Sequence, residues 1–391
     1  MTLRRETSTG LLALIREGRP MTLGQQIHLT VMLSVPAVVA QLSSIVMQYI
    51  DAAMVGSLGA EEAAAIGLVS TTTWLFWGLC IASSTGFSVQ VAHRIGAGDM
   101  QGARNVLRQA VTSTTLFSFA LAAIGVAISG VLPEWLGGDV SIHHDASLYF
   151  LIFSLFLPAL QLNFLAGGML RCSGNMRIPS LLGVVMCVLD VIFNFFLIFP
   201  TRHAVVAGID IFIPGAGLGV EGAALGTVAA ETVVATIQMW YLCTHSSELK
   251  LTKEKGSFRP QVNILKKALR IGLPMGLEHV VICGAQIMTT VIVAPLGVFA
   301  IAANSFAITA ESLCYMPGYG ISDAATTLVG QSVGAKRRRL TRSFAFITVF
   351  MGMIIMGLMG LLMYIFAPQI IGLMTPVEEI RSLGIMALRI E

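Results

Sequence analysis

The chain has 391 residues, of which 55% are hydrophobic and 12% charged, with a mean hydropathy of +0.81 and a formal net charge of +3. Soluble domains carry about 25% charged residues, so the composition excludes a soluble globular class and points to an integral membrane protein. The six cysteines lie in or beside apolar runs and form no C-x-x-C pair, which indicates neither a disulfide framework nor a zinc site.

In chain order, residues 1–28 form a cytoplasmic N-terminal segment with Arg4, Arg5, Arg16 and Arg19. It has no clean apolar core before a cleavage site, so it is not read as a removable signal peptide. A spanning helix needs about 20 mostly apolar residues. Such runs lie near 29–55, 63–92, 106–130, 147–170, 179–200, 220–243, 271–294, 300–330 and 343–367, and a tenth begins near 380. Lipid leaves helices as the economical way to satisfy the backbone, so nearly every residue is expected in a helix or a short loop. With the N-terminus cytoplasmic, 21 of the 24 Lys and Arg fall in the inner segments 1–28, 94–108, 171–178, 244–270 and 336–342, against Arg202 alone in the outer loops. That is a strong positive-inside signal, and it implies a multi-pass protein of the cell's inner (plasma) membrane.

A shift of 238 residues superposes Pro36 on Pro274, Leu58-Gly59 on Leu296-Gly297, Ala64-Ala65 on Ala302-Ala303 and Gly96-Ala97 on Gly334-Ala335. The offset holds six helices, an even number, so the two copies run parallel about an axis along the membrane normal. The expected organisation is an N-lobe of helices 1–6 over 29–245, a basic cytoplasmic linker over 246–270, and a C-lobe over 271–391 with helices 7–9 and the start of a tenth. On this repeat the second lobe is incomplete, and a twelve-helix parent is expected. The fold class is therefore an all-α polytopic bundle of two parallel pseudo-symmetric lobes.

The runs contain Asp51, Asp190, Glu231, Glu278, Glu311 and Asp323 with no matching bases. A carboxylate at the bilayer centre costs ~2.5–3.5 kcal/mol on insertion scales. Such groups become tolerable where they face a wet cavity, bind cations or hold protons. A carboxyl removed from water favours its neutral form, so it can exchange a proton or release it for a cation. Helical spacing lines Gln41, Ser44, Gln48 and Asp51 on one face. Gly183, Cys187, Asp190 and Asn194 form a similar stripe within the run VLDVIFNFFLIF and the residues before it, as do Thr227, Glu231 and Gln238. His279, Cys283, Gln286 and Thr290 make a fourth stripe, with Glu278 beside it. One such stripe is equally explained as interhelical packing; four with unpaired acids favour a shared polar cavity. Pro36, Pro274 and Pro317 interrupt helices and are candidate hinges or tolerated kinks. RIGAGDMQGAR (94–104) lacks dinucleotide spacing, His143-His144-Asp145 reads as a solvated loop, and KRRRLTR (336–342) reads as a topology signal beside anionic lipid rather than a nucleic-acid patch.

The stretches SVPAVVAQLSSIVMQYIDAAMVGSLG (34–59), HRIGAGD (93–99), LRCSGNMRIPS (170–180), GLGVEGAALGTV (217–228), IGLPMGLE (271–278) and AANSFAITAESLCYMPGYGISDAATTLVGQSVGAK (302–336) occur in an order and spacing that resembles the multidrug and toxic compound extrusion (MATE) transporters. The resemblance covers residues 29–391. It implies two six-helix lobes around a V-shaped cavity, and antiport in which inward H⁺ or Na⁺ flow drives out small organic, often cationic, compounds. It implies no enzymatic activity and no cofactor beyond the coupling ion; the partners expected are those compounds and membrane lipids, with the chain a monomer. By resemblance Asp51 matches a first-helix aspartate for ion or proton coupling. Many members carry an asparagine followed four residues later by an aspartate in the fifth helix; here Asp190 precedes Asn194, which keeps one carboxylate and one amide on the face. Thr227 matches a sixth-helix threonine near that site. Glu278 lies about one turn from the glutamate of some members, where this chain has Ile282. The ion-coupling set is thus Asp51, Asp190, Asn194 and Thr227, and the substrate cavity adds Gln41, Gln48, Glu278, Gln286 and Glu311. Three rivals stand beside it. A lipid-linked oligosaccharide flippase of related architecture should carry cavity Arg or Lys. An intramembrane hydrolase has only Glu278-His279 to suggest it, and a cation channel would conduct passively.

Overall fold

The computed structural model describes residues 7–206, 209–253, 256–293, 298–374 and 378–390. It is a helical bundle: α1 (Ser8–Arg16), α2 (Leu23–Gly56), α3 (Ala60–Gly96), α4 (Met100–Ser129), the short α5 (Leu132–Trp135), α6 (His143–Leu155), α7 (Leu157–Cys172), α8 (Arg177–Ile198), α9 (Gly219–Thr244), α10 (Val262–Val293), α11 (Val298–Gly334), α12 (Arg338–Met374) and α13 (Glu378–Ile390). Seven of these are long and apolar enough to cross a membrane: α2, α3, α4, α8, α9, α10 and α12. An eighth arises when α6 and α7 are taken as one span bent by 50°. The expected single run at 147–170 is broken there because Pro158, at the start of α7, supplies no N–H and cannot continue the α6 ladder. Helix α11 has 37 residues, well beyond the spanning minimum, and packs against α2, α3 and α12.

Local chemistry sets several ends. Thr22 and Gln25 form a reciprocal capping box at α2. The Asp99 carboxylate accepts from Gly102 N at 2.8 Å and caps α4. Helix α8 stops at Ile198 because Phe199 precedes Pro200 and is extended. Beyond it lies a short exception to the otherwise helical fold: β1 (Pro200–Val206) and β2 (Ile209–Ala216) pair antiparallel, with Val206 opposite Ile209. The segment is rich in Val and Ile, which suit strands, and it lies past the end of the apolar helix, where water can satisfy open edges.

The 238-residue shift is visible in the architecture. It carries Ala60–Gly96 onto Val298–Gly334, the bounds of α3 and α11, and brings α2, α4 and α6 close to α10, α12 and α13. Contacts follow the same rule: α2 packs on α11 while α10 packs on α3, α3 on α4 as α11 on α12, and α3 on α6 as α11 on α13. The two copies therefore exchange their first helices across a common seam. Gly96 and Gly334, repeat mates, close one end of it. A Cβ on Gly96 would collide with the Gln331 carbonyl oxygen, and one on Gly334 with the His93 carbonyl oxygen. His93 and Gln331 are themselves 238 residues apart, so glycine at both positions is what lets the α3 and α11 backbones touch. The α1 helix seals the same end, burying Leu11, Leu12, Leu14 and Ile15 against Leu29, Leu33, Leu328 and Phe344. At about 1.5–3 kcal/mol for each buried aliphatic side chain, this apolar face is enough to dock a nine-residue helix. Two arginines also lie deeper than the sequence implied: α4 begins at Met100, and Arg104 and Arg108 are buried in its first turns, with Arg104 Nε donating to Glu248 O at 3.1 Å.

Candidate functional site

Asp190 and Asn194 sit one turn apart on α8, so both side chains leave the same face; each is only 1% exposed. That face meets α2 where Asp51 occupies its last two turns. The Asn194 amide donates from Nδ2 to Asp51 Oδ1 at 3.0 Å and to Asp190 Oδ2 at 3.2 Å. The two carboxylates also face each other, and Thr227 on α9 faces Asp190. The four residues expected to couple ions are thus brought together, from three helices. Two turns back along α2 and one along α8, Cys187 Sγ and Ser44 Oγ approach to 3.9 Å.

The geometry depends on a residue without a side chain. A Cβ on Gly226 would collide with Asn194 Oδ1 and lie 3.0 Å from Asn194 N, so glycine there lets α9 press the amide toward the acids. One turn beyond Thr227 on α9, the buried Glu231 accepts from Asn163 Nδ2 of α7 at 2.6 Å. Tyr149 of α6 lies near both Asp51 and Asp190. Asn163, Tyr149 and Gly226 were not singled out from the sequence. Asn163 had a usable signal, one of two amides, with Gln161, in the otherwise apolar run LQLNFL; Gly226 had none apart from its neighbour Thr227.

Electrostatically the cluster is short of positive charge. Asp51, Asp190 and Glu231 form no ion pair among the described residues. Asp190 Oδ1 and Asn194 Oδ1 are buried with no hydrogen-bond partner. Buried acceptors are normally satisfied, and adjacent desolvated carboxylates call for a proton or cation between them. Among the described residues no group of three His, Cys, Asp or Glu side chains is disposed to hold a metal ion. His143 Nε2 instead pairs with Gly138 O at 2.9 Å.

The remaining expected residues fall elsewhere. Gln41 and Gln48 lie half-buried on α2. Glu278 and Gln286 are exposed on α10, Glu278 facing Tyr319 of α11, and Glu311 is half-buried near Tyr315 and Cys314. Glu278, Gln286 and Glu311 lie on the other copy. His279 packs on Gly78 of α3, and the Thr290 side chain lies outside the described residues. Asp323 corrects the expectation of unpaired acids: Arg171 Nε, at the end of α7, meets its Oδ1 at 3.2 Å. Pro36, Pro274 and Pro317 all lie inside continuous helices. Pro36 is two residues from Val38, whose backbone nitrogen would sit 2.7 Å from a Cβ on Gly320 of α11.

Comparison with known proteins gives consistent matches. The family model MatE matches residues 36–196 and 274–390, two stretches whose starts are 238 residues apart. A probable multidrug resistance protein NorM of Thermotoga maritima is 24% identical over 361 residues, covering 92% of this chain and 74% of the relative. Another from Pseudomonas syringae pv. tomato is 24% identical over 364 residues, covering 91% and 75%. Among solved structures, a MOP superfamily transporter from Pyrococcus furiosus superposes with a TM-score of 0.82 at 23% identity, over 97% of this chain and 79% of that one. A MATE protein in a straight conformation gives 0.82 at 22%, with the same coverage.

Proposed function

The chain belongs to the MatE family of efflux transporters, and from that premise we propose that it is an ion-coupled antiporter that exports small organic, often cationic, compounds by alternating access. One observation carries this reading: two carboxylates from different helices share one amide hydrogen-bond donor, and two oxygens of the group are buried without a partner. Entry of H⁺ or Na⁺ neutralises the pair and favours one shape of the cavity, while its release favours the other. The ion shifts that equilibrium only by its differential affinity for the two shapes, and an organic cation competes for the same charge. The multidrug resistance names of the relatives support the substrate class.

In this reading Asp51, Asp190, Asn194 and Thr227 hold the coupling ion. Gln41, Gln48, Glu278, Gln286 and Glu311 line the path of the substrate, and Pro36, Pro274 and Pro317 accommodate the change of shape. The N-terminus and the basic loops face the cytoplasm across the inner membrane, with an N-lobe over 29–245, a linker over 246–270 and a C-lobe from 271. The protein works as a monomer and needs no cofactor besides the ion.

The test is extrusion of a cationic dye from proteoliposomes under an imposed pH gradient and, separately, an imposed Na⁺ gradient. One gradient should drive accumulation against the dye gradient in saturable fashion, and Asp51→Asn should remove that dependence. Efflux by Asp51→Asn with unchanged dependence on the ion gradient would refute the assignment.

A further inference from the structure

The basic run KRRRLTR takes no part in the site above. It forms the turn from α11 to α12, where an open cavity of about 390 Å³ is lined by Val333, Lys336, Arg337, Arg338, Thr341 and Arg342. No acid lines it, and Lys336, Arg338 and Arg342 make no ion pair among the described residues. Comparison with the repeat mate, the α3–α4 turn, sharpens the point. Lys336 has φ 56°, in the left-handed region, where its mate Gly98 has φ 77°; a residue with a Cβ resists that conformation. Arg337 stands where Asp99 caps α4, and its Nη1 reaches Leu14 O at 3.1 Å and Arg19 O at 2.6 Å, tying the turn to the end of α1. The first turn of α12 has no acid to offset its cations, which is the wrong sign for a helix start. Four cations therefore surround a cavity whose local chemistry lacks only an anion.

The surface next to the cavity identifies the kind of anion. Residues 338, 342, 346 and 350 are spaced by four and share one face of α12. The two arginines are followed by Phe346, 75% exposed, and Phe350, 65% exposed, with Val349 and Met353 exposed beside them. A free anion has no use for that apolar stripe, whereas a lipid has a headgroup for the cations and chains for the aromatic face. We propose that this cavity binds the phosphate of an anionic phospholipid headgroup, with the acyl chains lying along the exposed Phe346–Phe350 face of α12.

The full chain in detergent, stripped of lipid, would be titrated with dioleoylphosphatidylglycerol, with dioleoylphosphatidylcholine and with inorganic phosphate, reading bound lipid by native mass spectrometry and the shift in thermal unfolding. Phosphatidylglycerol should bind and stabilise, and the other two should not. Each cation near an anionic lipid contributes about a fivefold factor, so Arg338→Gln with Arg342→Gln should weaken binding about 25-fold. Lys336→Gly should weaken it about fivefold with the fold intact, because it restores the residue of the repeat mate. Phe346→Ala with Phe350→Ala should weaken binding of the lipid with all cations present. Variants that bind phosphatidylglycerol as tightly as the parent chain, or inorganic phosphate that matches the lipid, would overturn the proposal.

Discussion

Gly226→Ala is a demanding test of the first-lobe site, because it removes no functional group. The added methyl would fall on Asn194 Oδ1 and within 3.0 Å of Asn194 N. Two responses are open. The amide can rotate away, which forfeits its bonds to Asp51 and Asp190; at about 1.5–3 kcal/mol for each hydrogen bond to a charged group, that costs about 3–6 kcal/mol. Alternatively α8 and α9 can separate by roughly an ångström, enough to lift the methyl off Asn194 Oδ1, an overpacking strain of about 1–3 kcal/mol. The second is cheaper, so the network should survive with its spacing relaxed. The expected result is a folded transporter with a lower melting temperature and a coupling-ion affinity reduced about tenfold, the equivalent of about 1.4 kcal/mol. The assay is the half-maximal ion concentration for dye efflux from proteoliposomes. Gly183→Ala on α8 is the control, since its Cβ would meet Ala40 at an ordinary 3.6 Å. If Gly226→Ala matched the parent chain in both melting temperature and ion affinity, the contact would not hold Asn194 in place.

Asn163→Leu leaves the buried Glu231 without its 2.6 Å donor and should cost about 1–3 kcal/mol, seen as a lowered melting temperature that Glu231→Leu in the same chain largely restores. The Arg171–Asp323 pair is partly solvated, with side chains 27% and 30% exposed, so a double-mutant cycle should return a coupling of only about 1 kcal/mol or less. Asp51→Thr with Thr289→Asp, which moves the carboxylate to the repeat-mate position, should not regain ion-driven dye efflux, because the move takes the carboxylate away from the Asn194 amide that bonds Asp51 and Asp190; recovery would mean that the copies are interchangeable. In the loop after α5 the Asp139 carboxyl is held below its usual value, chiefly by the Ser141 backbone N–H. Its contribution to the turn at 139–142 is therefore present above the unfolded value and lost as pH falls through the lowered one, which hydrogen exchange at 139–142 should report.

Much of the frame was legible because lipid simplifies the code. Runs of apolar residues set the helices, and the coincidences of Pro36 with Pro274 and Gly96 with Gly334 gave the repeat. The break between α6 and α7 was less legible, since Pro158 lies in an unbroken apolar run and signals the bend only once helix continuity is considered. The hairpin from 200 to 216 was hidden by an assumption suited to the membrane interior. Within the site, Asp51, Asp190, Asn194 and Thr227 were readable as polar exceptions on apolar faces. Gly226 was not, because what matters there is an absent atom, and the partner of Asp323 was not, because Arg171 lies 152 positions away in the chain and meets it only through packing.

The repeat also shows where the chemistry resides. Gln48 has Gln286 as its mate, and Pro36 has Pro274, so the first helices of the two copies share their frame. Asp51 does not share its charge: its mate is Thr289, whose hydroxyl donates back to Ala285 O at 3.0 Å within α10. The described carboxylate pair thus belongs to one copy. An ion bound there acts first on α2 and α8, and it reaches the other copy only through elements that cross the seam. Helix α2 is such an element, because the same helix that carries Asp51 packs along α11. Tyr49, two residues from Asp51, extends its hydroxyl to Thr309 O of α11 at 3.5 Å. Coupling through a packed helix with two arrangements is a sufficient physical route between lobes. In this protein that route starts from the residue that the proposed mechanism asks to change charge.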